Sequence, residues 1–456
     1  MQSLTPQQHA QITASLARLQ TGAAVRPMEA QLRSQSLWSY LQTCEAALIA
    51  LMNNQQPDVP QTELEWGLTL YVLNNDLPAA EVWALQLVGM PASNITPAQL
   101  AAFEATLGQG GVLLDDGTLV ADTIWAIFDP GWAIALVSYL VYYERPSDIH
   151  TFGNNPATFP LDGTRPITLG LVSDWGTGPW SDGNSTGPAE AVITQMKNLN
   201  PDVLIHLGDT YYSGFGYEEQ AGLIDPLAGW SKPAFTLNSN HEMYDGANGY
   251  FDTALASPLF QHQQGTSFFA LTHNNIVVLG LDTAFYDTST LYMAGALTDP
   301  DQLAFLKKLD LHGKTVILLT HHNGLDITGT QKGTPPLQLN PLWDQVTSAL
   351  GRNPDYWYWG HLHNGVVYAQ TAITGPTRAR CIGHAALPFG RAKVLYNADG
   401  SYTPEVEFSA STPFPNPDPQ QTNRVLNGFA TLTLNPDGTI EETFYDQQGT
   451  QAWPTP

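Results

Sequence analysis

The apolar positions follow two different rules along this chain. Over the first 145 residues, Leu16, Leu19, Met28, Leu32, Leu37, Leu41, Leu48 and Leu51 recur at loosely helical intervals, separated by polar residues. Thr96-Pro97 adds a capping residue followed by a first-turn proline. This predicts a mainly helical N-terminal domain over 1–145, with no His/Asp cluster and no phosphate-cradling glycine loop to give it a chemistry. Residues 146–165 are rich in Pro, Gly and Asn, lack an apolar period and predict a linker. From 166 to 456 the rule changes. Short apolar runs at 167–174, 202–209, 233–242, 314–322 and 354–363 alternate with helical stretches at 186–199, 301–309 and 341–350. Two hairpins are marked by Asn274-Asn275 and by Asn435-Pro436-Asp437-Gly438. The pattern is that of an α/β fold with a closing C-terminal β-hairpin.

Each apolar run of this second region stops at polar residues. In order these are Asp174, Gly208-Asp209-Thr210-Tyr211-Tyr212, Asn240-His241-Glu242, His321-His322 and Gly360-His361-Leu362-His363. Strand ends that pass into loops are where α/β proteins carry their chemistry. Taken singly these fragments are ordinary turn formers. As an ordered set they bring oxygen donors and imidazoles to successive strand ends, and five of the twelve histidines fall in three of the segments. Such a donor set suits Fe, Mn or Zn rather than thiolate-selected metals.

Composition narrows the partners. The 42 acidic and 17 basic side chains leave a net charge of −25, which disfavours a nucleic-acid partner, because that affinity depends on neutralising phosphates. A small anionic ester would still be drawn to a local cation pair. Forty-three per cent hydrophobic residues supply a sizeable core. The two cysteines, Cys44 and Cys381, read as reduced, buried thiols rather than a disulfide framework. The longest apolar stretch, 132–143, is too short to span a bilayer and reads as a buried element. The N-terminus lacks a basic segment followed by an apolar one, so a cytoplasmic location is expected, with unconventional export equally consistent.

The order Asp-x-Gly, Gly-Asp-x-x-Tyr, Asn-His-Glu, strand-terminal His and Gly-His-x-His resembles the calcineurin-like metallophosphoesterase superfamily. It is most similar to the purple acid phosphatase branch, through Asp174-Trp175-Gly176 and through the tyrosine three residues after Asp209. Ser239 stands where the family has glycine before its Asn-His, and Asn323 where it has proline after the strand-terminal His. The resemblance implies a two-sheet β-sandwich flanked by helices, with two metal ions. One ion would be held by Asp174, Asp209, Tyr212 and His363, and the other by Asp209, Asn240, His321 and His361, with Asp209 bridging. His322 is the alternative to His321. A tyrosinate donor favours Fe(III) in the first position, and the resemblance implies Fe, Zn or Mn in the second. His241 would protonate the leaving group with Glu242 orienting it, and His384 would line the pocket. The activity so implied is hydrolysis of phosphate monoesters by metal-activated water on a small phosphate-ester substrate. The alternatives are a phosphodiesterase acting on cyclic nucleotides or other diesters, and a non-catalytic interaction protein that uses its N-terminal helical region.

Overall fold

The computed structural model describes residues 112–113, 116–120, 135, 138–139, 142, 146–178, 187–326, 339–372, 374–415 and 423–454. The expected N-terminal domain therefore lies almost wholly outside the described residues, as does Cys44. Within that region, strands β1 (Val112–Leu113) and β2 (Leu119–Val120) form a small antiparallel hairpin. Ala135, Ser138, Tyr139 and Tyr142 are helical and buried.

The remaining strands are β3 (Ala157–Pro160), β4 (Ile167–Val172), β5 (Val203–His206), β6 (Ala234–Thr236), β7 (Phe269–His273), β8 (Ile276–Leu281) and β9 (Thr315–Thr320). They continue with β10 (Tyr356–Trp359), β11 (Gly365–Tyr368), β12 (Arg378–Ile382), β13 (Val406–Ser409), β14 (Gly428–Leu434), β15 (Ile440–Asp446) and β16 (Gln451–Trp453). They build two mixed sheets. One has eight strands in the order β13-β11-β12-β10-β9-β8-β7-β3, and the other has six in the order β16-β15-β14-β4-β5-β6. Both expected hairpins are present, β7 with β8 and β14 with β15. β3 lies in the stretch read as a linker, yet it pairs in parallel with β7 and forms an edge of the larger sheet. Its four residues carry too little apolar pattern to announce a strand.

Alternation along each strand explains the layering, since successive side chains leave opposite faces of a sheet. Leu169, Leu171, Val203 and Ile205 of the six-stranded sheet meet Val278, Ile317, Leu319 and Tyr358 of the eight-stranded sheet in one buried core. The intervening residues of the strands face outward and are covered by helices. Against Val172 and Leu204 packs α1 (Pro188–Leu199), through Val192, Ile193 and Met196. A proline at its start and a left-handed Asn200 at its end bound this helix.

The helices α2 (Gly216–Glu218) and α3 (Asn240–Met243) are short turns beside the site. On the other flank, α4 (Pro300–Lys308) and α5 (Pro341–Leu350) cover Val277, Leu279, Val316, Leu318, Trp357 and Trp359. Asp299 caps α4 by accepting the Gln302 amide at 2.6 Å. Burial of Leu342, Trp343 and Val346 secures α5, each contributing about 1.5–3 kcal/mol. Among the described residues no helix is long and apolar enough to cross a membrane. Cys381 is a buried free thiol.

Candidate metal centre

The site is assembled by parallel strands that end together. β4, β5 and β6 run parallel in one sheet, and β8, β9, β10 and β12 run parallel in the other. Their C-terminal ends are therefore shared between the two sheets. Backbone bonds tie the ends: the Asp174 amide donates to the Gly208 carbonyl at 3.0 Å and the Gly360 amide to the His321 carbonyl at 3.0 Å. His321 Nδ1 reaches across the sandwich to the Leu207 carbonyl at 2.9 Å. Three of the residues so placed, Asp174, Asp209 and His361, sit at positive φ (56°, 75° and 63°). Such backbone costs energy in non-glycine residues and clusters at functional sites.

Around Asp209 two groups of donors meet. On one side, Asp209 Oδ1 is 3.2 Å from His321 Nε2, and Asn240 Oδ1 is 2.9 Å from His321 Nε2 and 3.1 Å from His361 Nδ1. On the other, the Tyr211 hydroxyl donates to Asp209 Oδ2 at 2.8 Å and lies 3.3 Å from Asp174 Oδ1 and 3.4 Å from His363 Nε2. His363 Nε2 is 3.5 Å from Asp174 Oδ1. Asp174 is fixed through Oδ2, which accepts from Ser173 Oγ at 2.7 Å and from the His361 amide at 3.0 Å. The side chains of Asp174, Asp209, Asn240 and His321 are buried, while that of His363 is 39% exposed and opens the cluster to solvent.

The chemistry of these donors fits a cation. His321 carries its proton on Nδ1, where the Leu207 carbonyl accepts it. Its bare Nε2 therefore faces Asn240 Oδ1 and Asp209 Oδ1, three acceptors converging with no hydrogen between them. Protonating the ring does not resolve this, because burial and the neighbouring imidazoles push His321 well below its ordinary value. Burial raises Asp174, with the Asp209 charge adding to it. Burial likewise raises Asp209, with the Glu242 charge adding to it. No Lys or Arg is bonded to either carboxylate among the described residues. Asp174, Asp209 and His321 offer atoms within 4.8 Å of one another.

His322 also falls within such a radius of His321 and His361, but both its nitrogens are engaged. Nδ1 bonds Thr283 Oγ1 at 2.8 Å and Nε2 donates to the Tyr292 carbonyl at 2.7 Å. Of the two adjacent histidines, His321 is the one facing the cluster.

Other expected residues take further partners. A hydroxyl among the aspartates is that of Tyr211, and Tyr212 packs against Tyr211 and Leu387 and offers its backbone carbonyl to His241 Nδ1 at 2.6 Å. That bond leaves His241 Nε2 toward Asp209 Oδ2, 3.9 Å away, and burial lowers this ring to about 4. Glu242 does not orient His241. Adjacent helical residues point about 100° apart, and its carboxylate instead accepts the Thr210 amide at 3.0 Å and the Asp209 amide at 3.4 Å. His384 packs its ring between Phe389 and Phe444, with Nδ1 unpartnered, and contributes to the core rather than to the donor cluster.

Ser239, the residue in the family's glycine position, caps α3 by accepting the His241 amide at 3.0 Å. Its hydroxyl also sits in short hydrogen bonds with Asp209 and Glu242. Ser239-x-x-Glu242 is a capping-box spacing, a signal the sequence carried and the motif reading passed over.

Two mixed sheets flanked by helices, with acidic and imidazole donors at their shared ends, define an α/β fold that presents a cluster of metal-donor side chains. Residues 147–365 match the calcineurin-like phosphoesterase family model, and the chain carries a calcineurin-like metallophosphoesterase domain. Among solved structures, the chain is similar to a purple acid phosphatase, PPD1, from yellow lupin (Lupinus luteus) seeds, at 15% identity and TM-score 0.43, covering 65% of this chain and 54% of that one. It is also similar to a putative 5'-nucleotidase from Staphylococcus aureus, at 14% identity and TM-score 0.33, covering 54% and 53% respectively. The chain thus spans about half the length of these neighbours. No curated protein sequence matches it.

Proposed function

We propose that this chain hydrolyses phosphate monoesters at a two-ion centre bridged by Asp209. The observation that carries the reading is the meeting of two donor groups at that one carboxylate, Asp209 Oδ1 beside His321 and Asn240 and Asp209 Oδ2 beside Tyr211. His361 completes the first group, and Asp174 and His363 the second. A cation pair held there would supply Lewis-acid polarisation of the phosphoryl group and a nucleophilic water at moderate pH.

The remaining work belongs to the protein. Glu242 and Ser239 fix Asp209 from beneath, so the bridging carboxylate is oriented before substrate arrives. His241, anchored at Nδ1 by the Tyr212 carbonyl, keeps Nε2 for the leaving oxygen and would donate a proton there from the doubly protonated ring, a form that burial confines to pH near 4 and below. The exposed edge of His363 gives an anionic ester its entry. With a phenol donor in the cluster, Fe(III) is the ion proposed beside Tyr211, with Fe, Zn or Mn beside Asn240.

The preference for monoesters rests on the Asp174-Trp175-Gly176 and Gly208-Asp209 motifs. Turnover of an aryl phosphate and of a bis-aryl phosphate separates the substrate classes. Monoester turnover exceeding diester turnover by tenfold or more is expected, and turnover of the diester alone would overturn the monoesterase assignment.

A further inference from the structure

The N-terminal region enters the described structure at two places, and both touch turns that carry cluster residues. Near His363, the backbone of the hairpin closes on the neighbouring residue: Asn364 Nδ2 reaches the Asp116 carbonyl at 3.3 Å, and the Gly390 amide donates to the Gly117 carbonyl at 2.8 Å. Behind Asn240, the helical residues Ser138 and Tyr139 close on Tyr244. Ser138 Oγ donates to the Tyr244 carbonyl at 2.6 Å, and the Tyr139 ring meets the Tyr244 ring edge-on at 6.1 Å. Ser138, Tyr139 and Tyr244 are all buried.

Tyr244 in turn holds Asn240. The two stand one helical turn apart, and Asn240 Nδ2 donates to the Tyr244 hydroxyl at 3.1 Å. A carboxamide can serve a cation only with its oxygen inward, and its NH2 then points outward into buried surroundings. There the Tyr244 oxygen accepts that hydrogen, with the Met293 sulfur 3.8 Å away as a weaker acceptor. In the metal-free protein the amide has another choice, because a flipped NH2 would donate to the bare Nε2 of His321. Removing the Tyr244 hydroxyl leaves the outward N–H of the oxygen-inward amide without its partner.

We infer that Tyr244 is a positioning residue for the Asn240 donor, and that the N-terminal region, through Ser138 and Tyr139, holds Tyr244 in place. On this view the region preceding the phosphoesterase domain is a built-in part of the metal centre. The inference rests on the metal-centre reading above and deepens it.

Zn(II) titration of the full chain, followed calorimetrically, tests it. The parent is expected to show two binding steps. Tyr244→Phe is expected to weaken one of them by about tenfold, the size of effect seen when a ligand's supporting hydrogen bond is lost. The other step should stay unchanged. With two equivalents of Mn(II), the parent is expected to give the electron paramagnetic resonance signature of a coupled pair, and Tyr244→Phe that of isolated ions. Ser138→Ala with Tyr139→Leu should weaken the same step in the same direction. Two unaltered steps in Tyr244→Phe would overturn the positioning role. An effect of Tyr244→Phe without one from the Ser138/Tyr139 pair would overturn the role of the N-terminal region. A parent that binds no ion would overturn the metal-centre reading itself, and this inference with it.

Discussion

At the scale of single residues, a spacing of one position separates the tyrosine that the resemblance points to from the one whose hydroxyl meets the aspartates. The family resemblance points to Tyr212, and the structure puts the hydroxyl of Tyr211 2.8 Å from Asp209. A phenolate bound to Fe(III) absorbs visible light by charge transfer. The iron-loaded protein is therefore expected to lose this band in Tyr211→Phe and to keep it in Tyr212→Phe, and visible absorption of the two variants decides between them. The sequence could not have made this choice. Both residues are tyrosines at the end of the same apolar run, so residue type alone does not separate them.

His206 carries a different consequence. Burial pushes its ring to about 3, its Nδ1 bonds Thr236 Oγ1 at 3.1 Å, and its Nε2 has no partner. The folded ring therefore stays neutral while the unfolded chain takes up a proton as pH falls below about 6.5. Between those values the unfolded state binds more protons, so stability rises with pH, by about 1.4 kcal/mol per pH unit for this one group. Urea midpoints measured from pH 7 to pH 4 should fall, and His206→Leu should lose about that much of the slope.

At the scale of elements, the site depends on close contact between turns from different strands. Gly360 ends β10 so tightly against the Asp174 turn that a Cβ placed on it would overlap Ser173 Oγ and Asp174 Oδ2. Gly360→Ala is thus expected to displace Asp174, costing tenfold or more in metal affinity and lowering the melting temperature by several degrees. Calorimetric titration and thermal unfolding read the two effects.

This scale also shows what the sequence makes legible. Strand-terminal Asp174, Asp209, His321, His361 and His363 stand out because each ends an apolar run, and the structure brings these five together. Helices over 188–199, 300–308 and 341–350 were equally visible from their apolar period. β3 was not visible, since four residues at a sheet edge need no hydrophobic pattern of their own. The hydrogen bonds by which Ser173, Ser239 and Tyr244 hold other residues of the cluster are not revealed by spacing alone. Packing places His384 in the core, and Glu242 holds the Asp209 turn rather than His241, neither of which sequence proximity reveals.

At the scale of the whole molecule, two sheets pack face to face, and neither holds a complete donor set. Asp174, Asp209 and Asn240 come from the six-stranded sheet, while His321, His361 and His363 come from the eight-stranded one. The shared core of Leu169, Leu171, Ile205, Ile317, Leu319 and Tyr358 is what keeps these two halves in register, so packing and chemistry are coupled at this interface. The surrounding acidity, a net charge of −25, makes a local cation pair the feature that would draw an anionic ester to this one place.

Asp209 joins the halves, and replacing it tests the account most directly. Metal content and aryl-phosphate turnover should be measured together for the parent chain and for Asp209→Asn. Two ions per chain in the parent are expected, with both ion binding and turnover reduced in the variant, turnover by on the order of a thousandfold. A parent that hydrolyses the ester without holding any ion, or an Asp209→Asn variant that works at the parent's rate, would contradict it.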